Sequence, residues 1–172
     1  MANVTIKGTS FPGSPASNDI FYDETTHSWY YWSGSAWIGV GITQTYTPTW
    51  TNVTKGTGYT EVAKYTVIGN LVTGFLSLTL GTSPAISGTV DISLPVTAAN
   101  SGFIPVGNVI CRDASAAASY HGVSFLLNTT TLRPVVDSVS GASVVSANVS
   151  TNTPFTWVAT DIIVITFSYI AA

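Results

Sequence analysis

Charged side chains are scarce in this sequence, since Asp, Glu, Lys and Arg together make up 8% of its 172 residues. Soluble proteins typically carry about a quarter. The basic residues are Lys7, Lys55, Lys64, Arg112 and Arg133, scattered along a chain of net charge −3. Because nucleic-acid binding requires clustered basic side chains that neutralise phosphates, we expect no nucleic-acid partner. So few charges also indicate that much of the surface contacts other protein.

Cysteine, histidine and methionine are almost absent, with one Cys, two His and one Met. The lone Cys111 excludes an internal disulfide. His27 and His121 have no further histidine at ligand spacing, so we predict no metal site. Glu, Lys and Met are too few for a helical bundle or a coiled coil. No apolar run approaches the about 20 residues that a membrane-spanning helix needs, so no membrane insertion is expected.

Residues that could catalyse a reaction are also few. Cys111 has Asp113 and His121 as its nearest candidate partners, but it lies in an apolar, strand-like stretch where a buried and inert thiol is expected. The adjacent carboxylates of Asp23 and Glu24 lie in a predicted turn, where solvation is expected rather than paired acid and base chemistry. No glycine-rich segment has the Lys and the following helix of a phosphate loop. The sequence therefore predicts no catalytic residue, no cofactor and no enzymatic activity.

Aromatic residues are plentiful at 12% of the chain, and a dense group of them precedes residue 43. Gly and Pro punctuation between short apolar stretches predicts three strands in this region, at residues 19–23, 28–32 and 36–39. We therefore divide the chain into an N-terminal arm with an aromatic hairpin, residues 1–42, and a second domain, residues 43–172. A hairpin this small is only marginally stable by itself, so we expect it to pack against another part of the protein or another molecule.

Beyond residue 42 the sequence alternates with the period of two that is typical of half-buried strands. This alternation places four apolar residues on one face of a strand: Val72, Leu76, Leu78 and Leu80. The dipeptide Gly69-Asn70 predicts a two-residue hairpin turn before it. The fold class that we predict is all-β, with a small aromatic-rich β-hairpin module followed by an antiparallel, jelly-roll-like β-sandwich.

The last predicted strand, residues 161–170, is apolar on both faces. One face carries Ile163, Ile165 and Phe167, and the other carries Ile162, Val164 and Ile170. A strand that is apolar on both faces lies at the centre of stacked sheets or is covered by a neighbouring subunit. We predict that Ile163, Ile165 and Phe167 form a subunit interface.

Two parts of the sequence resemble bacteriophage structural proteins. Residues 18–37 read NDIFYDETTHSWYYWSGSAW. They resemble the pattern GD-x-YYD-x-TTN-x-x-YVW-x-G-x-AW of many phage tail fibres, collar proteins and virion appendages, with Asn18 in place of Gly and His27 where Asn is often found. Residues 46–53 and 63–72 read YTPTWTNV and AKYTVIGNLV. They are similar to the opening of β-sandwich domains in phage tail and minor structural proteins.

The resemblance implies a non-enzymatic phage virion protein that assembles in the bacterial host cytoplasm and resides in the virion. It implies a homotrimer that forms a short fibre or knob used in host attachment, with host surface glycan or protein as a further partner. The alternative is a capsid decoration (cement) protein that stabilises the phage head. Other virion proteins, of the tail or the capsid, are the expected partners in either case.

The aromatic residues of the hairpin form the candidate binding site of the sequence: Trp29, Tyr30, Tyr31, Trp32 and Trp37. Trp and Tyr supply large contact areas and dominate interface hot spots. The resemblance favours docking of this cluster onto the virion or onto a neighbouring subunit, so that residues 1–42 act as an anchoring module. A carbohydrate platform and simple packing within the hairpin are the alternatives.

Overall fold

The structure is a computed structural model, and it describes residues 5–17, 19–32, 34–35, 37–140 and 143–172. Every regular element in these ranges is a β-strand, which confirms the predicted all-β class. The chain divides into two compact units: residues 1–43 with 66–69, and residues 44–65 with 70–172. The main division therefore lies one residue beyond the predicted one, while the anchoring role of the first part stays a prediction.

The first unit contains a four-stranded sheet in the order β1-β2-β3-β4: β1 (Thr5–Gly8), β2 (Ile20–Asp23), β3 (Ser28–Trp32) and β4 (Trp37–Gly39). Strands β2, β3 and β4 pair antiparallel, and their bounds agree with the predicted strands to within one residue. Strand β1 was not predicted, and it pairs with β2 in parallel. A parallel pair of strands is joined by a long connection rather than by a hairpin turn, so no turn motif in the sequence indicates the pairing.

The remaining ten strands form one large sheet: β5 (Gln44–Thr45), β6 (Trp50–Thr54), β7 (Thr60–Ile68), β8 (Leu71–Thr79), β9 (Ala85–Ser93), β10 (Ile104–Asp113), β11 (Ala118–Asn128), β12 (Thr131–Ser140), β13 (Ser143–Asn148) and β14 (Ile162–Ile170). Its order is β5-β7-β8-β14-β10-β11-β12-β9-β6, and β13 pairs with β12. The pairings are antiparallel, and the sheet curls so that one face encloses a core. This curled sheet gives the predicted β-sandwich-like architecture.

Alternation along the strands produces the core of the second unit. The four residues predicted to share a face are all buried: Val72, Leu76, Leu78 and Leu80. The predicted turn at Gly69-Asn70 is confirmed, since β7 ends at Ile68 and β8 begins at Leu71. Gly69 has a φ of 59°, which favours glycine and is the geometry that tight hairpin turns require.

The prediction that Ile163, Ile165 and Phe167 form a subunit interface is wrong. Their side chains are 0%, 1% and 4% exposed within the single chain. Strand β14 lies between β8 and β10, and Ile163 is opposite Leu78 on one side and Cys111 on the other, both of them buried. Because the core of the chain itself covers these side chains, they leave no surface for a second subunit.

Candidate functional site

The aromatic cluster of the first unit is divided between the two faces of its sheet. Because successive side chains of a strand point to opposite faces, Tyr30 and Trp32 lie on one face of β3, and Trp29 and Tyr31 lie on the other. The burial pattern follows the same alternation, since Trp29 and Tyr31 are exposed and the residues beside them are half-buried. The five predicted site residues therefore do not form one surface.

The inner face holds the small sheet together through ring contacts. Trp37 lies 5.6 Å from Trp32 and 5.7 Å from Phe21, measured between ring centroids. Phe21 is 1% exposed and is the buried centre of the unit. Phe11 packs against Phe21, Tyr30 and Trp37 at 5.1, 4.8 and 5.6 Å. Aromatic pairs of this kind contribute about 0.5–1.5 kcal/mol each beyond their buried area, so Tyr30, Trp32 and Trp37 act mainly in packing.

Phe11 is the packing residue that sequence reasoning missed. It lies outside the strands, in a loop that also contains Pro12, Gly13 and Pro15. A large aromatic residue inside such a loop was the available signal, because a ring of this size gains free energy when it covers a neighbouring apolar face.

The opposite face leaves aromatic rings in contact with solvent. Trp29 is 46% exposed and Tyr31 is 41% exposed. Tyr22 lies opposite Trp29 across the β2–β3 pair, and their ring centroids are 4.9 Å apart. We call Tyr22, Trp29 and Tyr31 the aromatic outer face. An exposed group of large rings on so small a sheet is a surface suited to contact with another molecule.

The turn between β2 and β3 fixes the position of this face. The Asp23 carboxylate accepts hydrogen bonds from the Thr25 amide at 2.8 Å and from the Thr26 hydroxyl at 2.7 Å. These bonds, that of Thr26 first, lower the pKa of Asp23 from its ordinary value. Asp23 is thus the buried last residue of β2 rather than the solvated turn residue that was predicted, whereas Glu24 is exposed in the turn as predicted. His27 has a φ of 52°, a conformation in which Asn, Asp and His are enriched.

The candidate catalytic residues of the second unit are not brought together. On β10 and β11, Cys111 is opposite Tyr120 while His121 is opposite Ile110, so the thiol and the imidazole lie on opposite faces of the sheet. Asp113 accepts hydrogen bonds from the Ser115 hydroxyl at 2.7 Å and the Ala116 amide at 3.0 Å. These bonds, led by that of Ser115, lower the pKa of Asp113. Its carboxylate therefore stabilises the turn after β10.

Cys111 has the environment of an inert thiol, as predicted. Its side chain is 0% exposed, and burial raises its pKa from 9.0 to about 12. Since the thiolate is the reactive form, a buried thiol that stays protonated at neutral pH is a poor nucleophile. Burial also raises the pKa of Tyr169 from 10.0 to about 12, and its hydroxyl donates a 2.7 Å hydrogen bond to the Val96 carbonyl.

We expect the second unit to lose stability as the pH rises from about 9 to about 12. The unfolded chain releases the Cys111 and Tyr169 protons at lower pH than the folded chain, so the free energy of unfolding falls across this window. The slope is at most about 1.4 kcal/mol per pH unit for each group. Urea unfolding at a series of pH values measures the free energy of unfolding as a function of pH. The Cys111→Ala variant should show a shallower decrease with pH. A free energy of unfolding that stays constant or rises from pH 9 to 12 contradicts this expectation.

Four charged side chains of the second unit form two internal pairs. Arg133 binds Asp91 through two hydrogen bonds, from Nε at 2.7 Å and from a terminal guanidinium nitrogen at 2.9 Å. This bond raises the pKa of Arg133. Glu61 accepts hydrogen bonds from the Trp50 indole at 2.6 Å and from Lys55 at 2.9 Å. These charges therefore join strands and loops of the fold.

Within the ranges that the structure describes, no group of three His, Cys, Asp or Glu side chains is placed to hold a metal ion. In the same ranges no helix is long and apolar enough to cross a membrane. Comparison of the chain with known protein families, with curated protein sequences and with solved structures finds no match. The functional interpretation therefore depends on the residues and surfaces described above.

Proposed function

We propose that this chain is a non-enzymatic structural protein of a bacteriophage virion, a homotrimeric short fibre or knob used in host attachment. In this proposal the first unit anchors the protein to other virion proteins, and the β-sandwich-like unit is the head. Two features of the sequence support it: the resemblance of residues 18–37 to the aromatic hairpins of virion appendages, and the low proportion of charged residues.

The observation that carries the proposal is the aromatic outer face. Trp29 and Tyr31 leave nearly half of their surfaces exposed, although the inner rings already hold the small sheet together. Burial of apolar area contributes about 25 cal/mol per Å², and a Trp at the centre of an interface commonly contributes 2 kcal/mol or more. Docking through this face would remove the exposed rings from water.

We expect the double variant Trp29→Ala, Tyr31→Ala to fold but to be lost from particles. Neither side chain contributes to the inner face, and the lost Trp29–Tyr22 contact is worth about 0.5–1.5 kcal/mol, so the thermal unfolding midpoint should fall by only a few degrees. Incorporation into virions should fall at least about tenfold, because two exposed aromatic anchors are removed. The measurement is assembly of tagged protein in infected cells, followed by blotting of purified particles.

The matched control is Tyr59→Ala, which removes an aromatic side chain of similar exposure, 45%, from the second unit. It should be incorporated as well as the wild-type protein. A double variant that is incorporated normally would show that the aromatic outer face is not the anchor. Labelling of intact virions with antibody against the chain then separates a tail position from the alternative, a decoration protein on the capsid.

A further inference from the structure

The second unit has an exposed apolar surface on the side of its sheet that faces away from its core. Strands β8, β14 and β10 are neighbours, and the register places Thr166 opposite Phe75, Val164 opposite Ile110, and Ile170 opposite Leu71. Directly paired residues face the same side of a sheet. Since Ile163 and Ile165 point into the core, these pairs point outward.

Large apolar side chains are concentrated on this side. We call the following six residues the apolar outer face: Leu71, Phe75, Ile110, Ile162, Val164 and Ile170. Leu71, Phe75 and Ile170 are 42%, 41% and 47% exposed, and Ile110 is 36% exposed. Ile162 and Val164, at the centre of the sheet, are partly exposed. Monomeric proteins rarely leave large contiguous apolar patches uncovered.

On strands β8, β14 and β10, the polar residues of this side carry almost no charge. Between the apolar side chains lie five hydroxyl residues: Thr73, Ser77, Thr79, Thr166 and Ser168. Arg112, opposite Ile162, is the charged residue of these three strands on this side. Where the same surface of three copies meets around a threefold axis, like charges would oppose one another, and interface cores are depleted of charged residues. The near absence of charge on this surface fits both points.

The dimensions also suit an interface between subunits. Nine-residue strands are about 30 Å long, and the three neighbouring strands β8, β14 and β10 span about 14 Å. The flat area of such a surface is more than half of the about 800 Å² that each partner buries in a standard interface, before its projecting side chains are counted.

We propose that the apolar outer face is the surface through which copies of this chain assemble. It replaces the interface predicted at Ile163, Ile165 and Phe167, which lie on the opposite, buried side of the same strand. The inference rests on the self-assembly part of the proposed function, and it assigns that assembly to particular residues of β8, β14 and β10. It does not depend on where the protein lies in a particle.

The test is the mass of the purified full chain by light scattering at micromolar concentration. We expect the wild-type protein near three times 18.0 kDa. Phe75→Glu and Ile110→Glu place a carboxylate in the contact, so association should weaken at least about 100-fold and the variants should run as monomers. Far-UV circular dichroism checks that each variant retains the wild-type strand signal.

A second variant keeps every apolar side chain in place. Thr73→Arg adds a long cation to an exposed position of the same side and should also give a monomer. The matched control is Val145→Glu, since Val145 is 40% exposed and lies on β13, which pairs with β12 and not with β8, β14 or β10. It should retain the wild-type mass.

The outcomes separate this inference from the proposed function. If Phe75→Glu, Ile110→Glu and Thr73→Arg are folded and keep the mass of a trimer, the assignment of the surface is overturned. The proposed trimer itself would not be contradicted by this result. A wild-type protein that is monomeric at 18.0 kDa would overturn both the surface and the trimer. The proposed place in the virion is tested separately by incorporation and labelling.

Discussion

Replacing Ile163 with Asp should abolish folding of the second unit. Ile163 is 0% exposed in β14 and lies between Leu78 of β8 and Cys111 of β10. A carboxylate at this position loses its hydration without gaining a partner, which costs several kcal/mol, and the apolar contacts of Ile163 are lost as well. Because whole domains are stable by about 5–15 kcal/mol, we expect the soluble yield to collapse.

Soluble fraction and far-UV circular dichroism measure this effect, and two variants act as controls. Ser168→Asp puts the same charge on the exposed side of β14 and should leave the strand signal intact. Ile163→Val removes one methylene group and should cost about 0.5–1.5 kcal/mol. A soluble, folded Ile163→Asp protein would show that this side of β14 is not enclosed by the core of the chain.

Strand β14 shows which structural features the sequence predicts and which it does not. Alternation along residues 161–170 indicated two apolar faces, and the bounds agree with β14 to within one residue. It could not indicate which face the chain itself would cover, because that depends on the pairing of β14 with β8 and β10, which are distant in sequence. Local pattern determines which residues share a face, and long-range pairing determines which face becomes the core.

The aromatic hairpin shows the same limit at smaller scale. The turns and strands around Asp23 and His27 were predictable from local signals. The parallel strand β1 and the ring of Phe11 were not, since neither is connected to the hairpin by a short turn. Without these two elements, the Trp and Tyr residues were predicted to form one binding site. Alternation along β3 nevertheless indicates that they divide between a packed side and an exposed side.

Asp161 is a buried acid to which sequence reasoning gave no role. It is 0% exposed and lies just before β14. Its Oδ1 accepts the Ala114 amide at 2.9 Å, and its Oδ2 accepts the Val158 amide at 2.7 Å. The carboxylate thus joins the turn after β10 to the loop before β14, and it satisfies two backbone donors that have no strand partner.

Replacing Asp161 with Ala should therefore lower the stability of the second unit by about 2–6 kcal/mol, since each of the two amides that lose their acceptor costs about 1–3 kcal/mol. For a chain of this size the unfolding midpoint should fall by about 2–4 °C for each kcal/mol lost. Asp161→Asn keeps one acceptor oxygen but turns an amide NH₂ toward the second donor, so its effect should be intermediate.

Differential scanning calorimetry of the three proteins measures this series, and Asp137→Ala is the control, because Asp137 is exposed on β12. The control should unfold within about 1 °C of the wild-type protein, since a solvated carboxylate contributes little to stability. Each oxygen of Asp161 has its own amide partner, so Asp161→Asn should keep one of the two hydrogen bonds. An Asp161→Asn variant as unstable as Asp161→Ala would contradict this. If neither variant changed the midpoint, water would be replacing the carboxylate, and the loop before β14 would be open to solvent rather than closed over the end of the core.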